Sequence, residues 1–209
     1  MIPLRVRSCV RRRPWATWSL LAVLGLMFAL QHLWAGWAGL ALVPARFDGR
    51  GLAGLVTHVL LHGGAVHLLG NLLFLHAFGP GVEDVLGGRR LLLLFFASGV
   101  AGGLAKVLVE PRSPLPVVGA SGAISGVLAA ALVLGPTRPV LTWVPYLIVV
   151  QLVEVPTWVF VVLWFALQLA LAYAALGADL VVAPFVHLGG FLAGLGLAYA
   201  LLPRNARDG

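Results

Sequence analysis

The chain has 209 residues, 61% hydrophobic and 10% charged, with a mean hydropathy of +1.01. That much apolar surface excludes a water-soluble monomer; a hydrocarbon slab of roughly 30 Å takes about 20 apolar residues per helix, which leaves room for about six spans and no sizeable soluble domain. The +7 charge does not mark a nucleic-acid surface, because the arginines flank apolar runs, and the single cysteine, Cys9, excludes a disulfide framework or a cysteine-rich metal site.

In chain order, residues 1–15 read as a basic tail. Arg5, Arg7, Arg11, Arg12 and Arg13 precede the first apolar run, and by the positive-inside rule they hold that end in the cytoplasm. A secretory signal is the rival reading, but its apolar region is usually about 7 to 15 residues and this one runs longer. A membrane domain over 16–203 then carries expected spans near 16–35, 65–82, 90–109, 120–135, 156–175 and 183–202, before a short cytoplasmic tail at 204–209. The first connection, "AGWAGLALVPARFDGRGLAGLVTHVLLHGG", mixes apolar and polar residues and reads as a long outer loop lying in the interface. The stretch "VLTWVPYLIVVQLVEVP" contains Pro145, Glu154 and Pro156 and reads as a semi-buried connection.

With this threading the inner segments carry ten cations (the five above, Arg89, Arg90, Arg138, Arg204 and Arg207) and the outer ones four (Arg46, Arg50, Lys106 and Arg112). The bias fits both termini inside. The expected fold class is an all-α polytopic membrane protein, a bundle of six helices in the cell membrane.

An ionisable side chain at mid-bilayer costs about 2.5–3.5 kcal/mol on insertion scales, so each polar residue within a span needs a reason. The candidates are His67, Asn71 and His76 on the second span, Ser121 and Ser125 on the fourth, Gln168 on the fifth and His187 on the sixth. His67, Ser121 and His187 all fall near the outer starts of their spans, within about 10 Å of that boundary. Asn71 shares a helical face with His67, one turn deeper. A serine becomes a useful nucleophile beside a neutral imidazole, and an oxyanion needs donors. Ser121 with His187, and His67, Asn71 and the Ser121 N–H, can fill those roles as a dyad without an acid. Gly122 with Gly126, and Gly190 with Gly194, are also the small-residue pattern of close helix packing, which alone would explain "GASG". His58 and His62 have zinc spacing, but "HVLLH" lacks the glutamate of a metalloprotease helix, and no metal is expected. No acid pair lies inside the spans for an aspartyl protease.

Together, "HVLLHGGAVHLLGNLLFLHAFG", "GVEDVLGGRRLLLLFFASGVAGGL", "VVGASGAISG" and "HLGGFLAG" make the chain resemble the rhomboid family of intramembrane serine proteases from about residue 50 to 202, in its compact bacterial six-helix form. The resemblance implies Ser121 as nucleophile, His187 as general base, His67 and Asn71 as oxyanion stabilisers, Gly119 as the first glycine of the serine motif, leaving room for substrate backbone, and Glu83 as a structural acid. It implies membrane-anchored protein substrates cut in or near their transmembrane segment, a site opening to the extracytoplasmic side, and no cofactor. Family members commonly carry a Trp-Arg pair in the first outer loop, an aromatic four residues after the serine and Ala before the histidine; this chain has "FDGRGLAGLVTH", Ser125 and Val186. The alternative is a catalytically silent relative that binds transmembrane helices for quality control or trafficking; such proteins usually lack the serine or the histidine.

Overall fold

The computed structural model describes residues 1–6, 12–33, 35–47, 52–146, 149–174 and 184–202. Arg7, Cys9, Arg11, Asp48, Arg50 and Asp179, the last residue of the fifth expected span, the first of the sixth, and the tail at 204–209 lie outside the described residues.

The helices are α1 (Trp15–Leu33), the single turn α2 (Gly54–Thr57), α3 (Ala65–Leu86), α4 (Gly88–Val109), α5 (Ser121–Leu134), α6 (Thr157–Ala174) and α7 (Pro184–Leu201). Four of them, α1, α3, α4 and α7, are long and apolar enough to cross a membrane; α5 and the Thr157–Ala170 part of α6 are shorter apolar helices. This is a multi-pass membrane protein. α3 outruns its expected span because Glu83 and Asp84 lie within its last turn, and it ends at Gly87, whose φ of 83° suits glycine and turns the chain directly into α4.

Glu83 is 7% exposed and joins α3 to α1. Its carboxylate accepts the N–H groups of Ala16 (2.9 Å) and Thr17 (2.8 Å) and the Thr17 hydroxyl (2.7 Å). These first-turn amides of α1 have no partner within their own helix, and a carboxylate there also meets the positive end of the helix dipole. The Arg12 N–H adds a 2.9 Å bond to Asp84.

α5 is the central element. Every residue from Gly122 to Ala130 is buried, the pattern of a helix packed on all sides. Fourteen residues rise only about 21 Å, short of the hydrocarbon thickness. Leu24, Leu75, Phe78, Leu91, Leu94, Phe95, Leu128 and Phe160, from five surrounding or central helices, fill the core.

The all-α expectation is corrected at the opposite end of α5 from Ser121. Pro139–Tyr146 (β2) and Val149–Pro156 (β3) form an antiparallel hairpin, and Ile2–Val6 (β1) pairs along the other edge of β2, in the order β1-β2-β3. The stretch expected as an irregular connection is therefore mostly strand, and the first residues of the expected tail are its third strand. Alternation explains the fold: Val140 and Thr142 are fully buried, while Leu141 between them is half-buried and Trp143 beyond them is 45% exposed. Pro145 lies past the last β1 partner, Ile2↔Trp143, so its missing N–H costs no bond to β1.

The long first connection does not form a span. It folds into short helical turns, Ala35–Leu40, Pro44–Arg46, α2 and His58–Leu60. Two pairs of bonds pin it. Leu42 and Val117 exchange backbone hydrogen bonds (3.2 and 2.7 Å), and Gln31 of α1 takes the His62 N–H (2.9 Å) while its amide donates to the His62 carbonyl (3.1 Å). Leu42, Leu55, Val107, Val117 and Val186 close into a second apolar cluster. The loop thereby fastens the strand-like segment before Ser121 to the residue before His187.

Candidate functional site

Ser121 is half-buried at the first position of α5, reached through a backbone turn at Gly119. Gly119 has φ of 124°, a region side chains disfavour, and its N–H donates 2.9 Å to the His58 carbonyl. A β-carbon here would lie 2.6 Å from His67 Cε1, 2.8 Å from His67 Nε2 and 3.7 Å from Asn71 Nδ2. His67 and Asn71 of α3 thus lie against the turn that delivers the serine. Asn71 is buried and, among the described residues, its Nδ2 has no acceptor.

His187 enters from α7, and glycines decide how close α7 comes. A β-carbon on Gly190 would fall on the Gly122 carbonyl, and one on Gly194 would fall on the Gly126 backbone. One on Gly189 would lie 2.6 Å from Ala105 Cβ and 2.9 Å from the Ala101 carbonyl. The first turns of α7 are wedged between α4 and α5 at backbone contact, as small-residue faces permit. One on Gly122 would meet Val186 Cγ1 at 2.8 Å and the Val186 carbonyl at 3.2 Å. The residue after Ser121 therefore touches the residue before His187. Val186 is 2% exposed, its extra bulk accommodated by Gly102 on one side and Gly122 on the other. His67 on α3 is within electrostatic reach of His187.

The His187 ring is held from α6. Its Nδ1–H donates to Gln168 Oε1 at 2.9 Å, and its centroid lies 5.8 Å from that of Trp164, the planes tilted by 48°. Ser125 has another occupation, its hydroxyl donating back to the Ser121 carbonyl at 2.7 Å. The sequence marks Gln168 as a polar intramembrane residue without giving it a partner, and Trp164 escapes notice. Their spacing of four, a Trp and a Gln on one helical face, is the signal that was available.

His62 and His58 back the site. The His62 ring stands edge-on to His67, 5.3 Å between centroids, and His62 is pushed down to about 4 by burial, then by the charge His67 can carry. Burial likewise lowers His58, whose Nδ1–H donates to the Gly54 carbonyl at 2.8 Å. Both rings are therefore neutral near pH 7. His76 is exposed on α3. Among the described residues no group of three His, Cys, Asp or Glu side chains is placed to hold a metal ion.

Comparison with known proteins bears on what this arrangement is. The Rhomboid domain family matches residues 49–204. The chain is 44% identical over 78 residues to Rhomboid protease GluP of Bacillus subtilis (37% of this chain, 15% of that protein). It is 32% identical over 150 residues to RHOMBOID-like protein 5 of Arabidopsis thaliana (72% of this chain, 44% of that protein). Inactive rhomboid protein 1 of Drosophila melanogaster is 35% identical over 80 residues (38% of this chain, 6% of that protein). The matched segments span less than half of each relative. The match to the family domain runs from the first connection through α7 and takes in the serine turn and the helices bearing His67 and His187: the chain belongs to the rhomboid family.

Proposed function

We propose that the protein is an intramembrane serine protease in which Ser121 and His187 form a catalytic dyad. The observation that supports this reading is the contact of Gly122 with Val186, which sets the residue after Ser121 against the residue before His187, with His67 and Asn71 against Gly119 before the serine.

In this reading His187 Nε2 takes the Ser121 Oγ proton as Oγ bonds to the scissile carbonyl carbon. The carbonyl oxygen becomes an oxyanion, accepting from Asn71 Nδ2–H, from His67 and from the Ser121 N–H, one of the first-turn amides that a helix leaves unpaired. The C–N bond breaks as the proton on His187 passes to the departing amine, leaving an ester on Ser121. Water, deprotonated by His187, then releases the acid and regenerates the serine. An Asn71 amide buried without a protein acceptor supports the oxyanion role, because a donor aimed at a developing charge is left over in the free enzyme.

The substrate is a membrane-anchored protein whose helix unwinds near the outer boundary. The short α5 supports this, since 14 residues, against 22 in each of α3 and α4, are too few to cross the whole hydrocarbon thickness. Six spans, both termini in the cytoplasm and a site near the extracytoplasmic side complete the proposal, with the arginine bias as their support. Cleavage of a single-span test substrate by the full chain in liposomes decides it. Wild type should cut and Ser121→Ala should not; equal cutting would remove Ser121 as nucleophile.

Similarity to an inactive rhomboid motivates a second reading, a helix-binding protein without catalysis. Fluorophosphonate labelling separates the two, since only an activated Ser121 reacts.

A further inference from the structure

We propose that Gln168 is a positioning residue for the dyad, with Trp164 as its companion; the assignment rests on the Ser121–His187 reading. A neutral imidazole serves as base only through its unprotonated nitrogen, and which nitrogen that is depends on the hydrogen bond made by the other. The Nδ1–H to Gln168 Oε1 bond of 2.9 Å keeps the proton on Nδ1 and leaves the Nε2 lone pair for the serine. Trp164, one helical turn before Gln168, lies against the same ring and limits its rotation.

The charged and titratable surroundings leave this task to an amide. Of the flanking helices, α3 presents His67, which lies against Gly119 and, among the described residues, makes no hydrogen bond to the His187 ring. On α4, Glu110 is paired with Lys106 at 2.6 Å. On α5, the Ser125 hydroxyl is committed to the Ser121 carbonyl. A carboxylate at the Gln168 position would have to be ionised within a span to do more, at a substantial insertion cost, whereas an amide oxygen orients the ring without charge. Gln168 thus fixes the tautomer and direction of His187 and contributes little to stabilising its protonated form, unlike the acid of a triad.

The test is steady-state cleavage of a single-span substrate by the full chain in liposomes, across pH. Gln168→Leu, and Gln168→Met as a second variant of matched length lacking the acceptor, should each lower kcat about tenfold or more with KM within about twofold. Gln168→Glu, which keeps an acceptor, should restore kcat to within about threefold of wild type, and its acid limb should move to higher pH because an added negative charge favours the imidazolium. Wild-type kcat in the Leu and Met variants would overturn the proposal. So would a Glu variant as slow as Leu with its acid limb unmoved. Ser121→Ala and His187→Ala run alongside: if they cut like wild type the dyad reading fails, and if they are silent while Gln168→Leu is normal only the positioning role fails.

Discussion

Gly119→Ala puts the backbone turn and the site to a single test. The new methyl carbon would stand 2.6 Å from His67 Cε1 and 2.8 Å from Nε2, closer than real side chains tolerate, and φ of 124° is strained for any residue with a β-carbon. Strain of that kind costs on the order of 1–3 kcal/mol, and crowding a packed site roughly another 1–3. If His67 holds its place, stability falls by at least about 2 kcal/mol, a drop of roughly 4–8 °C in Tm for a chain of this size. If the ring yields instead, only the backbone strain of about 1–3 kcal/mol lowers Tm, but a proposed oxyanion donor is displaced, worth about 10²- to 10³-fold in kcat. Thermal unfolding in detergent and cleavage kinetics on one preparation distinguish the two responses. Gly63→Ala is the matched control, because its methyl would meet Val118 Cγ2 at 3.8 Å and His67 Nδ1 at 4.0 Å, ordinary contacts on the same ring. A Gly119→Ala protein with wild-type Tm and wild-type kcat would refute both the steric argument and the placement of His67.

The helix contacts and the buried ionisable groups give further expectations. Gly190→Ala should cost about 1–3 kcal/mol and abolish fluorophosphonate labelling, because its methyl falls on the Gly122 carbonyl, whereas Gly196→Ala, with nothing within 4 Å, should leave Tm and labelling intact. Glu83→Ala orphans two α1 amides and the Thr17 hydroxyl and should lower stability by about 2 kcal/mol in a thermal melt, more than Asp84→Ala. Lowered histidines make the fold acid-sensitive: the unfolded chain takes up protons below about pH 6.5 while His62 stays neutral to about 4, so stability is full above pH 6.5 and falls between 6.5 and 4. His62 supplies up to about 3 kcal/mol of that loss, and His62→Leu should shorten the acid limb of a Tm–pH curve; an unchanged limb would place the titration elsewhere. Ser125→Ala should leave kcat within about twofold, since that hydroxyl serves its own helix.

The sequence made the apolar helices legible and singled out a polar set because in lipid both signals are strong: a long apolar run has few alternatives, and a His or Asn inside one stands out. Ser121, His187, His67 and Asn71 could be grouped by depth, and the structure puts their flanking residues in contact through Gly122–Val186 and Gly119. The hairpin was not legible, because Val140–Val155 pairing depends on partners fifteen residues away and Pro145 masks the period of two. β1 was hidden further, since its partner strand begins more than a hundred residues later and five arginines dominate how that segment reads. Gln168 was visible as an anomaly but not as a contact: nothing local says which helix α6 faces, and its partner lies nineteen residues on, in another helix.

Glycine and serine in "GASGAISG" answer to one requirement. The proposed dyad needs Ser121 and His187 on neighbouring helices at backbone contact, and Gly122, Gly126, Gly190 and Gly194 give up side chains to allow that contact. An aromatic at position 125 would have to fit where α5 is buried on every side; serine fits there and bonds to its own helix. The job of holding the imidazole then falls to a helix outside the tight α4–α5–α7 packing, and α6 does it with a long amide and an indole, Gln168 and Trp164. Tight packing where the dyad forms and a reaching side chain where the ring is oriented are two parts of one solution. Replacing Ser125 with Phe should therefore fail to substitute for Gln168 in a Gln168→Leu background, with kcat of the double variant no higher than that of the single one; recovery of activity would show that α5 has room to support the ring after all.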